Sequence, residues 1–78
     1  MVYCRLISKK NNTLSYAVGS IASDITGLLS LNLGDFSFEI TKQPERKPVY
    51  PLFIGRMVNK YRTRLEQNDI PDKMSYEI

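Results

Sequence analysis

The sequence predicts an α+β fold: a four-stranded, mostly antiparallel β-meander over residues 1–42, followed by one C-terminal amphipathic helix at about residues 51–67 packed on one sheet face. Three observations predict it. Apolar and polar residues alternate at period two through much of the first 41 residues, as in strands with one buried face. Three prolines between residues 42 and 51 end that pattern, because proline cannot donate to a sheet ladder. Beyond them the apolar period becomes helical. The chain of 78 residues reads as a single domain, 1–78, able to bury one modest core.

Val2, Cys4 and Leu6 alternate with Tyr3, Arg5, Ile7 and Lys9, which predicts the first strand. "KKNN" (residues 9–12) supplies a turn, since asparagine tolerates left-handed backbone. Leu14, Tyr16 and Val18 alternate with Ser15, Ala17 and Gly19, a second strand that pairs with the first as a hairpin. Residues 19–27, "GSIASDITG", are small and polar and read as a bent connection, a β-bulge or the start of the third strand. Leu29, Leu31 and Leu33 carry that third strand. Gly34–Asp35 then offers a tight turn. Phe36, Phe38 and Ile40 alternate with Ser37, Glu39 and Thr41, the clearest strand in the chain.

Pro51 suits the first turn of a helix, where a missing N–H costs nothing, and Pro71 lies beyond its polar exit at Asn68–Asp69. At about 100° per residue, Phe53, Ile54, Met57, Val58, Tyr61 and Leu65 fall on one arc wide enough to cover a sheet. Asn59, Arg62 and Glu66 lie opposite, with Arg62 and Glu66 spaced to pair. The predicted core is Cys4, Leu6, Leu14, Tyr16, Val18, Leu29, Leu31, Leu33, Phe36, Phe38, Ile40, Phe53, Met57, Val58, Tyr61 and Leu65. The tail, residues 72–78, is too short to classify; it frays or adds an edge strand through Met74, Tyr76 and Ile78.

Charge is unevenly placed. Residues 1–41 balance to zero. Residues 42–64 carry seven cations against Glu45 alone, a net of +6. Residues 65–78 carry Lys73 against four carboxylates, a net of −3. Arg56, Lys60 and Arg64, spaced i, i+4, i+8, form a ridge along the border of the apolar arc, roughly 12 Å long at about 1.5 Å per residue. Two readings fit it. Such side chains commonly lay their methylenes over apolar neighbours and keep the charge in water, or they hold phosphates or an acidic partner.

The composition argues against several chemistries. There is no histidine, and Cys4 is the only cysteine, so the usual zinc ligand sets, an internal disulfide and the commonest acid–base catalyst are missing. Cys4 lies in the Val2/Leu6 row and reads as core rather than as a reactive thiol. Asp35 and Glu39 share strand parity, but nothing predicts the burial that a catalytic carboxylate pair requires. The four dispersed glycines make no phosphate loop. No apolar run approaches the ~18 residues of a membrane span, and "MVYCRLISKKNN" (residues 1–12) does not have the order of a signal peptide. "NNT" (residues 11–13) matches a glycosylation sequon but reads as a turn. The expectation is a cytoplasmic, non-enzymatic protein without cofactor, metal or membrane partner.

A single helix covers one sheet face. The other is expected to show Tyr3, Arg5, Ile7 and Leu28, with Lys9 beside them, and so to offer an interface. The favoured reading is a small protein-interaction module that binds a protein partner or self-associates through the helix-free face or an edge strand. The alternative is a nucleic-acid-binding protein that uses the basic ridge of Arg56, Lys60 and Arg64.

Overall fold

The computed structural model describes residues 1–77. Its elements run β1 (Val2–Lys10), β2 (Thr13–Gly19), β3 (Gly27–Asn32), β4 (Phe38–Lys42), α1 (Pro51–Lys60), α2 (Arg62–Glu66) and β5 (Lys73–Tyr76). The fold is α+β, and its strands form one antiparallel sheet in the order β4-β3-β2-β1-β5. Two expectations are corrected. The sheet has five strands rather than four, and the helical segment is followed by a strand rather than ending the fold. The fifth strand spans four residues, too few for their alternation to decide between fraying and an edge strand, and it is held by pairing with β1. Residue 78, part of the expected edge strand, lies outside the described residues.

The β1–β2 hairpin turns at Asn11–Asn12, where Asn11 takes the positive φ of 56° that the sequence foreshadows. The next turn is longer than the expected Gly34–Asp35 turn and runs over residues 33–37. Asn32 Oδ1 accepts the Gly34 amide at 2.7 Å and Asp35 Oδ1 accepts the Ser37 amide at 2.9 Å. Phe36 lies in this turn at φ 59°, so the fourth strand begins at Phe38 and not at Phe36. A left-handed bulky residue is strained, but its ring packs against the core and lies 5.0 Å beneath the Arg62 guanidinium. Arg62 therefore does not simply point to solvent, although its pairing with Glu66 is present at 3.9 Å.

The predicted single helix is interrupted at Tyr61, whose φ and ψ are −100° and 7°. Pro51 occupies its first turn, as expected. The exit is a Schellman arrangement. Asn68 takes φ 58°, its amide donates to the Leu65 carbonyl at 3.1 Å, and the Asp69 amide donates to the Arg64 carbonyl at 2.9 Å.

One core lies between the helices and the sheet. Cys4, Leu14, Tyr16, Val18, Leu29, Leu31, Met57, Val58 and Leu65 are buried in it, while Leu6, Leu33, Phe36, Phe38, Ile40, Phe53 and Tyr61 pack half-buried at its margin. Val2 and Ile54, both on predicted apolar faces, are also buried. Val49 and Met74 join them, Val49 from the proline-rich segment and Met74 from β5. No helix among the described residues is long and apolar enough to cross a membrane.

Candidate functional site

The helix-free face follows from strand register. Paired residues in an antiparallel sheet share a face, so Cys4 opposite Val18 and Met74 belongs to the core side. Arg5 opposite Ala17 and Lys73 belongs to the other side. Continuing across the sheet, Ala17 faces Leu28, and Leu28 faces Lys42. One cross-strand row thus reads Lys73, Arg5, Ala17, Leu28, Lys42. Ser8, Ser15, Ser30 and Glu39 make the row beside it. On the other flank Tyr3 pairs with Gly19 and Ser75.

Tyr3 and Arg5 stand on this face as the sequence predicts, Tyr3 half-buried and Arg5 exposed. Ile7 and Lys9 do not follow the simple alternation. The register slips between Leu6 and Ser8, leaving Ile7 as the unpaired residue of a bulge, 56% exposed. The slip pairs Lys9 with Leu14, a core-side residue, and the Lys9 ammonium donates to Asn68 Oδ1 at 2.8 Å. Lys9 is thereby corrected to the helical side.

The face is not bare throughout. Residues 20–26 fold back across it, and the Asp24 carbonyl occupies the space where a Cβ on Gly19 would sit. This segment is tied down at Asp24, a buried carboxylate. Its Oδ1 accepts the Thr26 hydroxyl and its Oδ2 accepts the Arg46 amide, each at 2.9 Å. Burial raises the Asp24 carboxyl, but the Arg46 amide, the Thr26 hydroxyl, the Lys47 amide and the Arg46 charge outweigh it and hold the group below the usual carboxylate range. Ser20 Oγ donates to the Pro48 carbonyl at 2.7 Å, and the Gln43 side-chain amide bonds both the N–H and the carbonyl of Val49. The two irregular segments, 20–26 and 43–50, brace each other.

Between this brace and the β1–β5 pair lies a cleft of about 430 Å³. Tyr3, Ile25, Arg5 and Lys73 line it, with Ser75 and Tyr61 at the strand edge. Arg5 and Lys73 are opposite neighbours in the ladder, and neither makes an ion pair among the described residues. Like charges so placed repel. Lys73, Ile25 and Lys42 are the members of this surface that sequence reasoning missed. Lys73 had one available signal, its place one residue before Met74 in a tail that alternates.

The basic ridge is arranged differently from either simple reading. The Lys60 ammonium donates to the Ser75 carbonyl at 3.1 Å and lies 5.3 Å from the Tyr61 ring centroid. Arg64 Nε meets Asp69 Oδ2 at 3.0 Å. Arg56 is exposed and has no ion-pair partner among the described residues. Two of the three ridge cations thus hold this chain's own groups. Lys60 and Tyr61 together cover the outer edge of β5, because the Ser75 amide also donates to the Tyr61 hydroxyl at 3.4 Å. At the opposite edge, β4 contacts β3 and receives no such cover among the described residues.

Asp35 bonds within its own turn, and Glu39 stands exposed on the open face. Cys4 is buried, and burial pushes its thiol up to about 12, which describes an inert core group. No group of three or more Cys, Asp or Glu side chains gathers among the described residues to hold a metal. Comparison with models of protein families, with curated proteins and with solved structures found no match.

Proposed function

We propose that this chain is a small, non-enzymatic protein-interaction module that self-associates through the outer edge of β4. The observation that carries the reading is the unequal treatment of the two sheet edges. On β5 the outward N–H and carbonyl of Ser75 are taken by Tyr61 and Lys60. On β4 no side chain takes that role among the described residues, so its outward backbone groups are available to another strand.

The occupant favoured is a second copy. A two-fold axis at Ile40 pairs the strands antiparallel and sets Ile40 of one copy opposite Ile40 of the other, since paired residues share a face. Half-buried Phe38 and Ile40 gain cover at the same time. Face-to-face stacking through Tyr3, Arg5 and Ile7 is less favourable, because it brings the Arg5/Lys73 pairs of two copies together. The nucleic-acid reading of Arg56, Lys60 and Arg64 has less support than the bare edge, since Lys60 and Arg64 are already engaged.

Light scattering coupled to gel filtration tests the proposal. A strand of five residues makes a short interface, so the expected result is a concentration-dependent monomer–dimer equilibrium. Ile40→Lys weakens it by setting like charges opposite one another at the axis, and Ile40→Val, which keeps the apolar pair, leaves it nearly unchanged. A strict monomer at the highest attainable concentration, or a folded Ile40→Lys variant that dimerises as the parent does, overturns the proposal.

A further inference from the structure

The helix-free face carries a second inference, independent of self-association. We propose that it binds single-stranded nucleic acid, with a phosphate held between Arg5 and Lys73 and a base laid against Tyr3 and Ile25.

Arg5 and Lys73 are exposed, directly opposite one another on neighbouring strands, and unpaired with any carboxylate among the described residues. That arrangement costs stability in the free chain. An anion seated between the two cations converts the repulsion into two attractions.

The cleft beside the pair decides what the anion is attached to. Its volume of about 430 Å³ is within the range of small-ligand sites, and an aromatic ring and an aliphatic side chain form part of its wall. A flat apolar group one step from a phosphate is the chemistry of a nucleotide. An acidic peptide would use the cations but leave Tyr3 and Ile25 idle. A duplex would present phosphates while its bases stayed stacked, so a base entering the cleft must come from a single strand.

The rest of the face extends the site. The row from Lys73 and Arg5 passes over Ala17 and Leu28 to Lys42, about 19 Å away at the usual ~4.8 Å strand spacing. Ser8, Ser15 and Ser30 line its flank with hydroxyls. A strand lying across the sheet meets cations at both ends, the exposed Leu28 between them and hydrogen-bonding groups alongside.

The experiment is fluorescence anisotropy with a short fluorescein-labelled polypyrimidine single strand, run as DNA and as RNA. A labelled duplex and a polyglutamate peptide serve as competing probes. Binding of the single strand is expected at ~50 mM salt, with log K falling against log salt at a slope of roughly −1.4 for two neutralised phosphates, one at Arg5 and Lys73 and one at Lys42. Arg5→Gln with Lys73→Gln should weaken binding by at least about tenfold and flatten the slope by roughly 0.7. Tyr3→Leu should weaken it by about tenfold with little change in slope. Arg56→Gln with Arg64→Gln removes the same charge from the helical side and should change affinity by less than about threefold.

The paired charge variant lies outside the core, so circular dichroism should show it folded even where Tyr3→Leu does not fold. The inference is overturned by no single-strand binding at ~50 mM salt, where electrostatic association is strong. It is equally overturned by preference for the duplex or polyglutamate, or by loss of binding in the helical variant but not in the Arg5/Lys73 variant. Because the oligonucleotide assay does not depend on dimerisation, a failed dimer and a failed binding site are read separately.

Discussion

Two buried residues on facing strands make this small core sensitive to alkali. Cys4 and Tyr16 are 3% and 0% exposed. Tyr16 donates its hydroxyl to the Pro71 carbonyl at 2.8 Å, which fastens the chain just before β5. Burial pushes the Cys4 thiol up to about 12. Burial also pushes the Tyr16 phenol up to about 12, with Cys4 and Asp72 adding to it and Arg64 opposing. Both groups therefore hold their protons more tightly folded than unfolded. Their contribution to stability is complete below about pH 9 and is lost as pH rises from there through about 12. Denaturation midpoints measured by urea titration should fall progressively above pH 9, and a variant combining Cys4→Ala with Tyr16→Phe should show a flatter decline. An unchanged decline in that variant would assign it to other groups. In the native state at neutral pH, Cys4 should resist a thiol reagent until the chain unfolds.

Opposite demands on two glycines mark how the elements meet. Gly55 lies in α1, where a Cβ would touch the Phe38 ring at 4.0 Å, an ordinary contact. Gly55→Ala should raise stability by about 0.5–1 kcal/mol through helix propensity and the lower entropy of the unfolded chain. Gly19 ends β2 beneath the Asp24 carbonyl, with no room for a Cβ. Gly19→Ala should displace residues 20–26 and lower stability by more than Gly55→Ala raises it. Thermal melts of the two variants moving in the same direction would show that one of these packing accounts is wrong. The same displacement should disturb the cleft, because Ile25 lines it and adjoins Asp24.

At the scale of the molecule, β5 decides whether the sheet is complete. It buries Met74 against the helical side, pairs from Val2 to Arg5, and places Lys73 opposite Arg5. It also receives the Lys60 and Tyr61 contacts that cover one edge. A chain ending at Ile70 would lose the Pro71 acceptor of Tyr16 and leave the N-terminal half of β1 as an exposed edge. It should unfold at lower denaturant or aggregate, measured by circular dichroism and light scattering. A truncated chain as stable as the parent would mean that β5 is an accessory rather than part of the fold.

The sequence determined the fold class, the β1–β2 hairpin, most of the core and the start and stop of the helical segment. Those features rest on local signals: period-two apolar rows, asparagine in a tight turn, and proline at both ends of the helical segment. Tyr3 and Arg5 were legible for the same reason, since alternation places them opposite Cys4. Pairing over long range decided the rest. The slip at Ile7 changed the face of Lys9, and no periodicity in β1 announces which residue a partner strand will skip. Asp24 reads as a loop carboxylate until Thr26 and the Arg46 amide close around it. Lys73 became a neighbour of Arg5 only because the chain returned to the far side of β1, across 67 intervening residues. A cation beside a cation is a property of that return, which depends on the hydrogen bonds of β1 and the space beneath the helix rather than on any residue near Lys73.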